Sequence, residues 1–213
     1  MKLSPRPLLA SICLMSAVAQ AGATGTLDQQ QLVYNGGMSA RTLAGYSTWQ
    51  SFTAGLSGTL TEIDMAFFTA MSGTALMQVR SGAGTQGAVL QTQTIAVTSA
   101  NALTWDAWAV SVPVTTGAQY TFQITPNAAN LPDPYGVALA SGNLYTGGVL
   151  GIDDPSGTYP TNFDAVFKTY VTAVPEPGSA VLLAAGLLFA ASRVRGRRQW
   201  HHPIPAPSFD RVD

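Results

Sequence analysis

The chain has 213 residues, of which 46% are hydrophobic and 10% are charged, and its formal net charge is −1. Between residues 24 and 172 it carries three basic and eight acidic residues, a net charge of −5, and neither cysteine nor histidine. This stretch therefore excludes disulfides, the common zinc sites, and Ser-His-Asp or Cys-His catalysis. Nucleic-acid binding is also disfavoured, because few basic residues are available to neutralise phosphates.

Residues 1–21 are predicted to be a secretory signal peptide. Lys2 and Arg6 supply a positive start, an apolar run follows, and the run ends in the small-x-small sequence Ala19-Gln20-Ala21. The apolar run is short for a membrane span, and the alternative is a buried N-terminal helix. We expect cleavage after Ala21, with Ala23 as the neighbouring alternative.

Residues 24–172 predict one all-β domain, an antiparallel two-sheet β-sandwich of jelly-roll-like type. Apolar and polar residues alternate with period two in the runs 59–68, 108–115, 119–125 and 163–171, which is typical of strands with one buried face. Turn signals separate the runs, and eight or nine short strands are expected. The alternation places apolar side chains inward: Ile63, Met65, Phe67, Trp108, Val110, Val112, Val114, Tyr120, Phe122, Ile124, Phe163, Ala165, Phe167 and Val171. It places polar side chains outward: Glu62, Asp64, Gln119, Thr121, Gln123, Thr125, Asp164 and Lys168.

Glu62 and Asp64 are the carboxylates that an enzyme would use. They lie two residues apart on one strand face, at a separation of about 7 Å that suits an inverting glycosidase. The alternative is that both are ordinary solvent-facing side chains. An aromatic-lined cleft around them would favour catalysis, and a position on an open face would argue against it.

Trp49 and Trp105 are candidate glycan contacts. Trp105 has the opposite strand parity to the inward Trp108, and Trp49 comes near a predicted strand start. Aromatic rings at the edge of a sandwich can stack on sugars, although most aromatic residues of this kind pack over the core.

Asp153 and Asp154 are candidate ligands of a structural calcium ion. The turn-rich segment 151–164 crowds oxygen-bearing side chains, although it lacks EF-hand spacing. The alternative is a solvated Asp-Pro turn. No other cofactor is expected.

The segment 178–192 has 15 residues without charge, and Arg193, Arg195, Arg197 and Arg198 follow it. As a helix it would be about 22 Å long, short against a hydrocarbon core of about 30 Å, but able to span by local thinning. The arginines would hold the C-terminus in the cytoplasm. A buried core helix is the alternative, although such a helix is rarely followed by four arginines.

The order of Val174-Pro175-Glu176-Pro177, an apolar helix and an arginine cluster resembles the PEP-CTERM sorting tail, here residues 173–198. The resemblance implies an exported protein of the kind found in bacteria that make exopolysaccharide or biofilm. It also implies processing near Pro-Glu-Pro by an exosortase, a membrane-embedded cysteine transpeptidase-like enzyme. Two prolines keep this stretch extended, as a protease substrate requires. The chain continues beyond the family pattern, and residues 199–213 are predicted to be a disordered cytoplasmic extension.

The pattern of residues 27–171 is also loosely similar to exported bacterial sandwiches related to carbohydrate-binding jelly rolls. Together, these features predict a non-catalytic structural or glycan-binding protein. It would pass through an inner-membrane intermediate to the cell surface or the extracellular polysaccharide matrix. The alternatives are a glycan hydrolase that uses Glu62 and Asp64, and a surface protein that stays anchored by its tail.

Overall fold

The computed structural model describes residues 25–100 and 103–174. The predicted signal peptide, apolar helix, arginine cluster and C-terminal extension lie outside these ranges. Within them the protein is all-β, and no helix there is long and apolar enough to cross a membrane. The strands are β1 (Thr26–Gln31), β2 (Gly36–Ala40), β3 (Ser47–Thr53), β4 (Gly58–Phe67), β5 (Gly73–Ser81), β6 (Val89–Val97), β7 (Thr104–Val114), β8 (Gln119–Pro126), β9 (Tyr135–Ser141), β10 (Leu150–Asp154), β11 (Gly157–Pro160), β12 (Phe163–Ala165) and β13 (Phe167–Ala173).

The strands form two antiparallel sheets. In the seven-stranded sheet β4 lies between β7 and β13, and β1 lies outside β13. The end of β4 meets β9 at Phe67, opposite Val137, and β9 lies between β2 and β12. The six-stranded sheet has the order β11-β10-β3-β8-β5-β6. These findings confirm the predicted all-β class and are consistent with a two-sheet sandwich, while the jelly-roll subtype stays a prediction.

The apolar core lies between the two sheets, as the period-two alternation predicts. Every residue predicted to point inward belongs to this core or packs against it, with Phe163 only partly buried. Its aromatic rings are in contact, including Phe122 with Phe167 across the two sheets at 5.8 Å between ring centroids. Because residues 24–172 contain no cysteine and so no disulfide, burial of this core is the main source of stability.

Residues 25–100 and 103–174 contain thirteen strands, where eight or nine were expected. The additional ones are short, such as β11 with four residues and β12 with three. Strands of this length show too little alternation to be recognised in a sequence.

Asp164 was predicted to point outward, and this prediction is wrong. Its side chain is buried, and its Oδ2 accepts a hydrogen bond from the Tyr145 backbone N–H at 2.8 Å. The chain changes its pairing partner at this point: β12 pairs with β9, and β13 pairs with β4. The inward residues of both strands nevertheless keep one alternation, so the burial of Asp164 follows from its contact with Tyr145, which is distant along the chain and which the strand pattern does not show.

Thr121 and Gln123 are on the predicted outer face but are buried. The connection between β5 and β6 folds back over this face. The Thr121 hydroxyl donates to the Gly82 carbonyl at 2.8 Å, and the Arg80 side chain donates to Gln123 Oε1 at 2.9 Å. Alternation within one strand cannot predict this burial, because the residues that cover Thr121 and Gln123 are distant from them in sequence.

One side of the sandwich is closed by glutamine side chains. Gln91 and Gln93 occupy inward positions of β6, where the two sheets reach their margin. Gln91 Oε1 accepts from the Ser111 N–H at 2.8 Å, and Gln93 Nε2 donates to the Ala109 carbonyl at 2.9 Å. These bonds join the edge of one sheet to the edge strand β7 of the other.

Candidate functional site

A β-bulge at Thr61 places a group of polar side chains on the outer face of the seven-stranded sheet. The register of β4 shifts between Leu60 and Glu62 against both neighbouring strands. Leu60 is therefore fully buried in the core, whereas Glu62 lies on the outer face. Bulges re-aim side chains in this way and are often found next to functional sites.

The strand register brings five side chains together on this outer face. Asp64 is opposite Ala107 on β7 and Lys168 on β13, and Glu62 is opposite Ala109 and Tyr170. Directly opposite residues of an antiparallel pair share a face, so these side chains are neighbours. We call the group the Trp105 face; it consists of Glu62, Asp64, Trp105, Lys168 and Tyr170.

Lys168 links the acidic and the aromatic parts of the Trp105 face. Its Nζ lies 3.9 Å from Asp64 Oδ2 and 4.2 Å from the centroid of the Trp105 ring. The first contact is an ion pair and the second a cation–π interaction. The half-buried Trp105 also packs beside a small apolar cluster of Ala66, Ala138 and Val166.

Burial and like charge both act on Asp64. The residue is only 7% exposed, and its Oδ1 has no hydrogen-bond partner. Burial raises the pKa of Asp64, and the negative charge of Glu62 raises it further, against the opposing effect of Lys168. Burial likewise raises the pKa of Tyr170, with Asp64 as the next cause. The face therefore combines a carboxyl group that is protonated more easily than usual with two aromatic side chains.

The hydrolase hypothesis can be compared with this geometry. Glu62 and Asp64 lie side by side on one strand of a sheet face, and the neighbouring Ala107 and Ala109 are exposed. These small residues leave the β7 side of the two carboxylates without a wall of larger side chains. A glycosidase instead places its two carboxyl groups on either side of the scissile bond.

Trp49 is buried, so the expectation that its ring is exposed to contact a glycan is wrong. It lies within β3, not before it, and is 3% exposed. Its ring lies directly over Gly151 of the neighbouring strand β10, where a Cβ atom would come within 2.0 Å of Trp49 Cζ2. The absence of a side chain at position 151 makes room for the indole.

Asp153 is the centre of a hydrogen-bond network on the outer face of the six-stranded sheet. Its Oδ1 accepts from Trp49 Nε1 at 3.1 Å and from the Thr85 hydroxyl at 3.3 Å. Its Oδ2 accepts from the Ser47 hydroxyl at 2.9 Å and from Gln123 Nε2 at 2.8 Å. Four donors from three segments, β3, β8 and the connection between β5 and β6, thus hold both oxygens of this carboxylate.

Asp154 has a separate role in the turn between β10 and β11. Its Oδ1 accepts from the backbone N–H groups of Ser156 at 2.7 Å and Gly157 at 3.2 Å. This is the Asp-Pro turn that the sequence offered as the alternative to calcium. Within residues 25–100 and 103–174, no group of three or more His, Cys, Asp and Glu side chains could hold a metal ion.

Sequence reasoning missed Tyr170 and the partners of Asp153. The alternation that places Lys168 outward also places Tyr170 outward, two residues later, so this residue could have been found. Ser47, Thr85 and Gln123 come from distant segments, and no local pattern joins them to Asp153.

The predicted sorting motif begins directly at the folded domain. β13 pairs with β4 up to Ala173, opposite Gly58, and the Val174 N–H then donates to the Ser57 carbonyl at 3.3 Å. The Val174 side chain is 62% exposed. Pro175, Glu176 and Pro177 and the four arginines lie outside the described residues.

Comparison with known proteins gives one result for this tail. Residues 173–198 match the PEP-CTERM protein-sorting motif. The predicted sorting tail is thereby confirmed with the same boundaries. The motif implies an exported protein that passes through the membrane and is recognised by an exosortase. No curated protein and no solved structure matches the chain.

Proposed function

We propose that the domain delivered by this sorting tail is a non-catalytic module that binds polysaccharide through the Trp105 face. Its destination is the cell surface or the extracellular matrix, reached through an inner-membrane intermediate and cleavage near Pro175–Pro177. The jelly-roll-like subtype of the sandwich fits such a role.

The observation that carries the proposal is the convergence of Trp105, Tyr170 and Glu62 on one outer sheet face, with Asp64 buried beside them. An indole ring stacks on the apolar face of a sugar, and carboxylates accept hydrogen bonds from its hydroxyl groups. The Lys168 ammonium lies over the Trp105 ring, so a sugar that stacks on that face displaces it, and its flexible side chain allows it to donate to a sugar oxygen instead. A surface of this kind suits a chain of sugars better than a small, enclosed ligand.

The negative charge of the domain indicates which class of polysaccharide it can bind. Residues 24–172 have a net charge of −5, and Glu62 and Asp64 are part of the face itself. An acidic polysaccharide would be repelled, so a neutral glycan is the proposed ligand.

The test is affinity electrophoresis of the exported protein in gels that contain neutral or acidic polysaccharides. Trp105→Ala should weaken retardation by a neutral glycan about tenfold, since loss of an aromatic anchor typically costs more than 1 kcal/mol. Tyr159→Ala is the matched control, because it removes an exposed aromatic ring from β11 of the other sheet. Equal retardation of the wild type and Trp105→Ala by every glycan would refute the proposal.

A glycan hydrolase is the second candidate, and the raised pKa of Asp64 is the observation that favours it. It predicts release of reducing ends from a bound glycan, and loss of that release in Glu62→Gln and Asp64→Asn. The binding proposal predicts retention without release of reducing ends.

The intact mass of protein recovered from the envelope and the medium separates sorting from permanent anchorage. A mass that ends near Pro175–Pro177 is expected. A mass that retains Arg193 to Arg198 in all fractions would instead indicate a permanent anchor.

A further inference from the structure

Both chain ends leave the domain at the same end of the sandwich. β1 runs antiparallel to β13, and its first residue Thr26 is opposite Val171, close to the end of β13 at Ala173. Val174 is hydrogen-bonded to Ser57, in the connection between β3 and β4. We call this end the terminal pole; it consists of Gly25, the turns 54–57 and 115–118, and Val174.

The two turns of the terminal pole are held together by hydrogen bonds, so the pole is an ordered surface. The Ser57 hydroxyl donates to Thr116 Oγ1 at 3.1 Å and accepts from the Thr116 N–H at 3.0 Å. The Gly117 N–H donates to the Ala54 carbonyl at 2.7 Å. The Asp28 carboxylate of β1 accepts from the Gly55 N–H at 2.9 Å. These bonds fix the pole relative to the last strand.

The tether between this pole and the apolar segment is very short. Only Val174 to Pro177 separate Ala173 from the predicted membrane segment that begins at Gly178. Four fully extended residues span at most about 14 Å. An enzyme that acts on Pro175–Pro177 at the membrane therefore has no room to avoid the folded domain.

We infer that the terminal pole is a docking surface for the exosortase that processes the tail. This inference rests on the sorting function proposed above. The turns 54–57 and 115–118 contain no charged residue. Attraction to anionic lipid headgroups depends on Lys and Arg side chains, so the pole has no electrostatic affinity for the lipid surface. Its exposed hydroxyl and glycine backbone groups suit contact with a protein.

The experiment is photo-crosslinking in cells that express the full chain and an epitope-tagged exosortase. Benzoylphenylalanine replaces Thr115, or in a second variant Gln119, both exposed at or beside the terminal pole. The matched control replaces Ala128, which is exposed in the turn after β8. Because β8 runs from Gln119 to Pro126, this control lies about 23 Å away, at the opposite end of the strand.

We expect crosslinks to the exosortase from either pole position at least fivefold more often than from position 128. Insertion of ten Gly and Ser residues between Ala173 and Val174 should leave the pole crosslinks above the level of the control, because a docking surface does not depend on the short tether. A fall to the level of the control would show that the tether alone brings the pole to the exosortase, and would overturn the inference. The fraction of processed protein, measured by mass in the same cells, reports sorting separately.

Processed protein with equal or absent crosslinks at all positions would overturn the docking surface while leaving sorting intact. Crosslinks from the pole to lipid alone, again with normal processing, would overturn it in favour of contact with the membrane. If no variant and no wild-type chain is processed, the sorting proposal fails and the docking surface fails with it.

Discussion

Asp153 and Asp154 are neighbours in sequence and have the same chemistry, but they stabilise different parts of the molecule. Asp153 joins β10 to β3, β8 and the connection between β5 and β6 through four side-chain donors. Asp154 accepts two backbone bonds within its own turn. Loss of a partner that satisfies several donors costs more than loss of a local turn bond.

Asp153→Ala should therefore lower the free energy of unfolding by about 2–4 kcal/mol, and Asp154→Ala by about 1 kcal/mol. Each change removes one negative charge, so each is the control for the other. Urea unfolding followed by tryptophan fluorescence measures both. Equal losses for the two variants would show that the network around Asp153 does not hold the segments together.

The residue scale also shows what sequence could not predict. The inward positions of Trp108, Val110 and Val112 follow from local alternation, because each strand has to bury one face. The buried position of Trp49 follows from Gly151, about one hundred residues later, and from Gly84 in the connection between β5 and β6, where a Cβ atom would lie 3.9 Å from Trp49 Cη2. Local patterns contain no information on such contacts.

At the scale of the strands, β7 is an edge strand, and the backbone N–H and C=O groups on its unpaired side could pair with another chain. An unpaired strand edge can pair with another chain, and natural proteins block such edges. Gln91 and Gln93 of β6 occupy the Ser111 N–H and the Ala109 carbonyl, and Gln91 Nε2 also donates to Gln93 Oε1 at 3.0 Å. Gln91 and Gln93 are therefore polar at inward positions because β6 lies at the margin of the sandwich, where their side chains bond to the edge strand β7.

The double variant Gln91→Ala, Gln93→Ala should self-associate, because it frees two backbone groups of β7 while it keeps the core intact. Light scattering at increasing protein concentration is the measurement, and refolding from urea should aggravate the effect. Thr94→Ala is the control on the same strand, since Thr94 is exposed on the other face. A double variant that stays monomeric like the control would contradict a protective role for the glutamines.

Element boundaries were predicted less well than element faces. The run 59–68 was recognised from Ile63, Met65 and Phe67, but nothing in it indicates the bulge that turns Leu60 into the core. The Trp105 face depends on this bulge, so its composition could be predicted only in part. Tyr170 and Lys168 follow from alternation, whereas their position beside Asp64 follows from strand order.

At the scale of the whole molecule, three carboxyl groups of the described residues are shielded from solvent in full or in part: Asp64 and Asp164 are buried, and Asp28 is half-buried. Burial is the largest cause that raises the pKa of Asp28, Asp64 and Asp164. Each has one buried carboxylate oxygen without a hydrogen-bond partner. The pKa of Asp133 is lowered instead, first by the Thr42 N–H and then by Arg41.

The domain should therefore become more stable as the pH falls from 7 towards 4. A group whose pKa is raised in the folded state binds its proton before the unfolded chain does, so the free energy of unfolding increases as the pH falls through the folded pKa. This gain is complete below the unfolded value of 3.8. Asp133 acts in the opposite direction, with stability that is lost below that value.

Urea midpoints at pH 7, 5 and 4 measure this dependence. Asp164→Asn removes one of the three groups and should reduce the increase in stability between pH 7 and 4, whatever its effect at pH 7. A midpoint that falls steadily from pH 7 to 4 in the wild type would contradict the assignment of three destabilised carboxylates.

The position of β13 has a consequence for the timing of export. This last strand lies between β1 and β4, and in the described part of the chain β1 pairs with no other strand. In a chain that crosses the membrane unfolded and from its N-terminus, β1 would therefore stay unpaired until almost the whole domain has followed it. The sheet can close only when residues 167–173 have crossed, and the next residues to arrive are those of the sorting motif. Completion of the fold and presentation of the motif are thus consecutive events, so a chain that is truncated before β13 would reach the outside with neither.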